Sequence, residues 1–64
     1  MLAEKLLLEI EEAAAMLSIK RSLLYLLMAR GEIRSCKIGR RRLIPRDALH
    51  EFVERRSEET LQTG

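Results

Sequence analysis

With 64 residues, 47% hydrophobic and 34% charged, the chain has room for one small core and a solvated surface, and no room for a second, catalytic domain. Its longest apolar run, Leu23 to Ala29, falls far short of the roughly 20 residues that cross a bilayer, and the opening Met1-Leu2-Ala3-Glu4-Lys5 lacks the basic start and long apolar stretch of a secretory leader; the expected compartment is the cytoplasm, and no membrane partner is expected. The net charge of +2 conceals an uneven distribution: both ends are acidic, while nine Lys or Arg residues and a single acid, Glu32, lie between Lys20 and Arg46, the footprint expected of a phosphate-binding face or, on the plainer alternative, of an ordinary solvated basic surface.

Leu6-Leu7-Leu8 suit a short extended lead-in, with only weak grounds for a strand. From Ile10 the apolar residues Ile10, Ala13, Ala14 and Leu17 recur at the spacing of one helical face. Glu11 and Glu12 fall in its first turn, where negative charge complements the helix dipole. Alanines on the buried face let a second helix approach closely. Ser18-Ile19-Lys20 then separates this helix from another whose core-facing set is Leu24, Leu27 and Met28, with Gly31 as a left-handed stop. Two helices joined by about three residues form a helix-turn-helix. On this register Ser22, Tyr25, Leu26 and Ala29 face outward, with Arg21 and Arg30 at the margins.

Beyond Gly31 the pattern becomes extended. Ser35 to Ile38 and Arg41 to Ile44 read as two short strands joined by a tight Gly39-Arg40 turn, a position where Gly tolerates positive φ. Pro45 suits the first turn of a third helix, with Asp47 near its start and Ala48, Leu49, Phe52 and Val53 as its buried stripe. That helix is expected to end near Arg56, leaving 57–64 as a flexible tail and 1–56 as the domain. The predicted fold is mainly α with a small β-hairpin: a winged helix-turn-helix, three helices plus a wing.

Catalysis has no assembled machinery here. Cys36 and His50 lie in different elements without a third orienting group, and Met1, Met16 and Met28 are scattered. One cysteine and one histidine are too few for a disulfide or a structural zinc. No metal, cofactor or small-molecule substrate is expected. Cys36 is read as a small apolar residue packed in or beside the hairpin, and His50 as a solvent-facing helix residue.

Glu11-Glu12-Ala13-Ala14, Leu17, Arg21-Ser22, Tyr25, Gly31-Glu32, Lys37-Ile38-Gly39-Arg40-Arg41 and Ile44-Pro45-Arg46, in this order and spacing, resemble the excisionase family of DNA-binding domains, relatives of the MerR-like winged helices. The likeness runs from about Leu7 to Val53. It implies double-stranded DNA as partner, with the second helix in the major groove and the hairpin on the backbone or in the adjacent minor groove. It also implies a role in phage or mobile-element excision beside an integrase, or as a small transcriptional regulator, and so a nucleoid-associated protein. Lys20, Arg21, Ser22 and Tyr25 are the recognition-helix candidates that follow; Lys37, Gly39, Arg40, Arg41 and Arg42 are those of the wing. The chemistry agrees, since Arg bonds guanine edges or phosphates, hydroxyls bond phosphate oxygens, and clustered guanidiniums fit a narrow, negative minor groove.

The departures from the family pattern are specific. Leu23 and Leu26 stand where the family often has Thr and Arg, Lys20 replaces a small polar cap, Ser18 replaces a turn glycine, and Leu43 replaces a position that is often basic. Leu26 can touch thymine methyls, contact a neighbouring copy, or signal a helical register off by one. A protein-interaction module using Leu23, Leu26 and the last helix is the alternative of a different class. In an excision factor both surfaces coexist, the partner being an integrase or further copies of the chain on DNA.

Overall fold

The computed structural model describes residues 5–63, with side chains as far as Glu59. Six elements follow in order: β1 (Leu7–Leu8), α1 (Ile10–Leu17), α2 (Arg21–Ala29), β2 (Cys36–Ile38), β3 (Arg41–Pro45) and α3 (Arg46–Thr63). The architecture is the mainly helical winged helix-turn-helix that the sequence predicts, with three helices and an antiparallel sheet of strand order β1-β3-β2.

Leu6-Leu7-Leu8 contributes the third strand. Leu7 pairs with Pro45 and Leu8 with Ile44, and the Arg46 N–H donates to the Leu6 carbonyl at 2.9 Å. Pro45 is therefore the last residue of β3 rather than part of the first helical turn, and α3 begins at Arg46. A strand end tolerates the missing N–H of proline. The sheet ties the start of the chain to the wing, so the hairpin is rooted in the core and does not hang from a loop.

The core consists of Leu8, Ala13, Ala14, Leu24, Leu27, Ile33, Ile44, Ala48 and Leu49, with Ile10, Leu17, Ile19, Met28 and Phe52 packed against it. It draws on β1, the loop before β2, β3 and all three helices, as a small domain without disulfides requires. Ala13 is wholly buried and Ala14 nearly so; their small side chains let α2 cross α1 closely enough to seat Leu24 and Leu27.

Both helices of the helix-turn-helix close in the same way. After α2, Gly31 takes φ +77°, its N–H bonding Met28 O at 3.0 Å while the Glu32 N–H bonds Leu27 O at 2.9 Å. After α1, Ser18 takes φ +59°, with Ser18 N–H on Ala15 O at 3.1 Å and Ile19 N–H on Ala14 O at 3.0 Å. Both are Schellman-type closures. The tight turn is thus made without glycine, at the steric cost of a left-handed serine.

Two expectations for α3 are corrected. Val53 is 46% exposed rather than buried, because only the first turns of the helix lie over the core; Phe52 is half-buried. The helix also continues past Arg56 to Thr63. The run Arg55 to Glu59 is exposed, so good helix formers such as Glu58 and Glu59, and not burial, favour this extension.

Candidate nucleic-acid interface

Lys20 adopts an extended backbone ahead of α2 and makes no side-chain cap, consistent with the loss of a small polar residue at that position. The helix therefore enters with a cation where a hydroxyl or carboxylate usually bonds the first free N–H groups. From this start the register places Lys20, Arg21, Ser22, Tyr25, Ala29 and Arg30 on the exposed side. Leu23 and Leu26 are exposed at 43% and 45%, and Tyr25 at 51%. The outward position of Leu26 is real: Leu24 and Leu27 fill the core, so the register is not off by one.

The hairpin forms around Gly39, at φ +61°, with Ile38 opposite Arg41. A two-residue loop with glycine at its first central position and positive φ there alone has the type II′ pattern, whose twist matches that of the strands it joins. The same register sets Lys37 directly opposite Arg42 and Cys36 opposite Leu43. Opposed side chains share one face of a ladder, with Cβ atoms about 5 Å apart, and like charges so placed destabilise it. Arg42 relieves part of this by donating to Ser35 Oγ at 2.9 Å. Cys36 is half-buried and unbridged, beside the wing as expected.

The nine cations between Lys20 and Arg46 do not act as one field. Arg34 grips Glu51 of α3 through two bonds of 3.3 and 3.1 Å, and the Arg46 Nε donates to Lys5 O at 2.8 Å. Arg30 lies 3.9 Å from Glu32. Glu32 is also held by α3, since Arg55 donates to its carbonyl and Arg56 to its carboxylate, while Arg56 also stacks 5.3 Å from the Phe52 ring centre. These bonds fasten the loop between α2 and β2 to α3. Sequence reasoning counted Arg30, Arg34 and Arg46 with the binding charge, and the structure gives all three intramolecular partners.

Of the candidate residues, Arg21 pairs with Glu11 at 3.2 Å and Arg41 with Glu9 at 2.8 Å, both on the surface. Among the described residues no hydrogen bond or ion pair engages the side chains of Lys20, Lys37 or Arg40. These exposed cations sit at the start of α2 and along the wing. Glu12 closes the first turn of α1: its carboxylate accepts from Lys5 Nζ at 2.6 Å and from the Glu9 N–H at 3.0 Å. The Lys5 bond, then the backbone bond, hold its carboxyl below the usual value of 4.5, with a smaller contribution from Arg41.

An exposed helix following a tight turn, beside a basic hairpin rooted in the same core, defines a winged helix-turn-helix DNA-binding domain. The chain matches the family model described as a helix-turn-helix domain over residues 7–57. It is 46% identical over 54 residues to a probable excisionase of Saccharopolyspora erythraea, covering 84% of this chain and 55% of that protein. The chain therefore belongs to the helix-turn-helix domain family, and it spans about half the length of the curated relative that it matches. No solved structure matches it. Among the described residues no helix is long and apolar enough to cross a membrane.

Proposed function

We propose that this domain binds DNA as part of an excision factor, with α2 in the major groove, the β2–β3 wing on the backbone or in the adjacent minor groove, and no catalytic step of its own. The observation that carries this reading is the placement of Lys37 opposite Arg42 at the base of a turn bearing Arg40. A fold that sets like charges face to face on an exposed ladder gains when a polyanion lies along it. Lys37, Gly39, Arg40, Arg41 and Arg42 hold the backbone in this reading, the glycine by letting the turn approach closely. Lys20, Arg21, Ser22 and Tyr25 position α2 and read the groove.

Leu23 and Leu26 support a second contact on the same surface. Two exposed leucines on a DNA-facing helix fit a neighbouring copy of the domain or an integrase, and so divide the surface between nucleic acid and protein. With few polar base contacts in one module, specificity then arises from repeated or paired sites.

The test is a fluorescence titration of the chain against duplexes drawn from sequence flanking its own gene, with unrelated duplexes as control, at several salt concentrations. Binding that prefers the flanking DNA and weakens steeply with salt supports the proposal, because phosphate contacts release counterions. Absence of binding to either duplex at low salt overturns it and leaves the protein-contact surface as the function.

A further inference from the structure

The first turn of α1 lies between the start of α2 and the second strand of the wing, and it touches both through carboxylates. Glu9 holds Arg41 at 2.8 Å and Glu11 holds Arg21 at 3.2 Å. The third carboxylate, Glu12, turns away to Lys5 and to the backbone N–H that it caps. Glu9 and Glu12 together form the capping box that closes the turn, so Glu9 both helps to cap α1 and reaches Arg41, while Glu11 is left to reach across to Arg21.

These outer pairs have the character of exchangeable contacts. Their four side chains are between 60% and 75% exposed, and pairs so exposed contribute little to stability. Each occupies a guanidinium that the DNA-binding reading assigns to DNA. A phosphate oxygen or a guanine edge offers such a guanidinium the same acceptor geometry as a carboxylate. The wing's Lys37 and Arg40, by contrast, have no acid facing them among the described residues, so the cations divide into an engaged set beside α1 and a free set along the wing.

We propose that Glu9 and Glu11 are built-in competitors for DNA: they occupy Arg41 and Arg21 in the free protein, and binding exchanges each carboxylate for a DNA acceptor. The inference rests on the DNA-binding reading above and concerns how affinity is set within it. Free Lys37 and Arg40 make the first electrostatic encounter, and Arg41 and Arg21 join only when docking brings an acceptor close enough to displace the acid. The acids thus hold down affinity for every sequence.

The experiment is a pair of double-mutant cycles, Glu9→Gln with Arg41→Gln and Glu11→Gln with Arg21→Gln, titrated with labelled duplex DNA over a series of salt concentrations. Glutamine keeps the size and hydrogen-bonding capacity of glutamate at these exposed positions, and circular-dichroism melts establish that each variant is folded. Each acid replacement is expected to tighten binding about two- to fivefold at low salt, with a gain that shrinks as salt rises. Glu58→Gln, the same change of net charge on exposed α3, leaves affinity unchanged. In the Arg41→Gln background the gain from Glu9→Gln disappears, and likewise for the second cycle.

An equal gain with and without the arginine means long-range repulsion and overturns the exchange. Weaker binding by Glu9→Gln and Glu11→Gln means that the acids orient the arginines for DNA, and overturns it as well. Salt-dependent binding by the wild type with no change in the acid variants removes the exchange and leaves the DNA-binding reading intact. No binding by any variant at low salt removes both.

Discussion

Helix α2 and the wing present cations on different physical terms. On α2, Arg21 is engaged by Glu11 and shares its surface with Leu23, Tyr25 and Leu26, all exposed. The hairpin concentrates Lys37, Arg40, Arg41 and Arg42 around a two-residue turn, with two like charges directly opposed. In the proposed reading, this close-packed charge, of which Lys37 and Arg40 have no side-chain partner among the described residues, serves affinity for any phosphate backbone. On the same reading, a helix face mixing one engaged cation, two hydroxyls and two leucines selects among sequences or partners.

The largest effect that tests this division is expected from the wing. Replacing Lys37, Arg40 and Arg42 together by Ala should weaken binding on the order of 100-fold, equally for flanking and unrelated DNA, and lower the salt slope by about three, as measured by anisotropy over a salt series. A loss confined to the flanking sequence would mean that the wing reads sequence and would erase the distinction. Arg21→Ala is expected to cost roughly tenfold on the preferred duplex and much less on unrelated DNA; a uniform loss would make α2 a second phosphate clamp.

Leu26→Ala should leave binding to a single site within about twofold and reduce loading of further copies on a longer duplex, counted by native mass spectrometry. Abolished single-site binding would place Leu26 against the bases instead. Ser18→Gly should raise stability by about 0.5–1 kcal/mol in a denaturant melt, since glycine removes the left-handed strain at that position, while leaving DNA affinity unchanged.

The smallest effect concerns pH. Glu12 has its folded value lowered, so its contribution to α1 is complete above the unfolded value of 4.5 and is lost as pH falls through the lowered folded value. A stability titration should show this loss reduced in Glu12→Gln.

Local periodicity made most of the fold legible. The spacing of Ile10, Ala13, Ala14 and Leu17, and the stop at Gly31, concern neighbours along one helix, and α1 and α2 appear where those patterns place them. The Gly39-Arg40 turn was equally readable, because the backbone conformation of a two-residue loop restricts its residues. The strand at Leu7–Leu8 was not, since two leucines become a strand only when Pro45 and Ile44 arrive beside them. Val53 continued the apolar stripe, but its exposure depends on where α3 leaves the core, which no spacing along α3 encodes.

The sequence by itself determined the helix-turn-helix, the hairpin and the concentration of positive charge between them, because each follows from residue type and short-range geometry. Only the tertiary structure decided which of those charges are available. Arg34 and Arg46 bond Glu51 and the Lys5 carbonyl, and Arg21 and Arg41 make exposed pairs with Glu11 and Glu9. Each pairing joins residues at least ten apart in the sequence, and such attraction is felt only where folding brings the groups within a few ångströms.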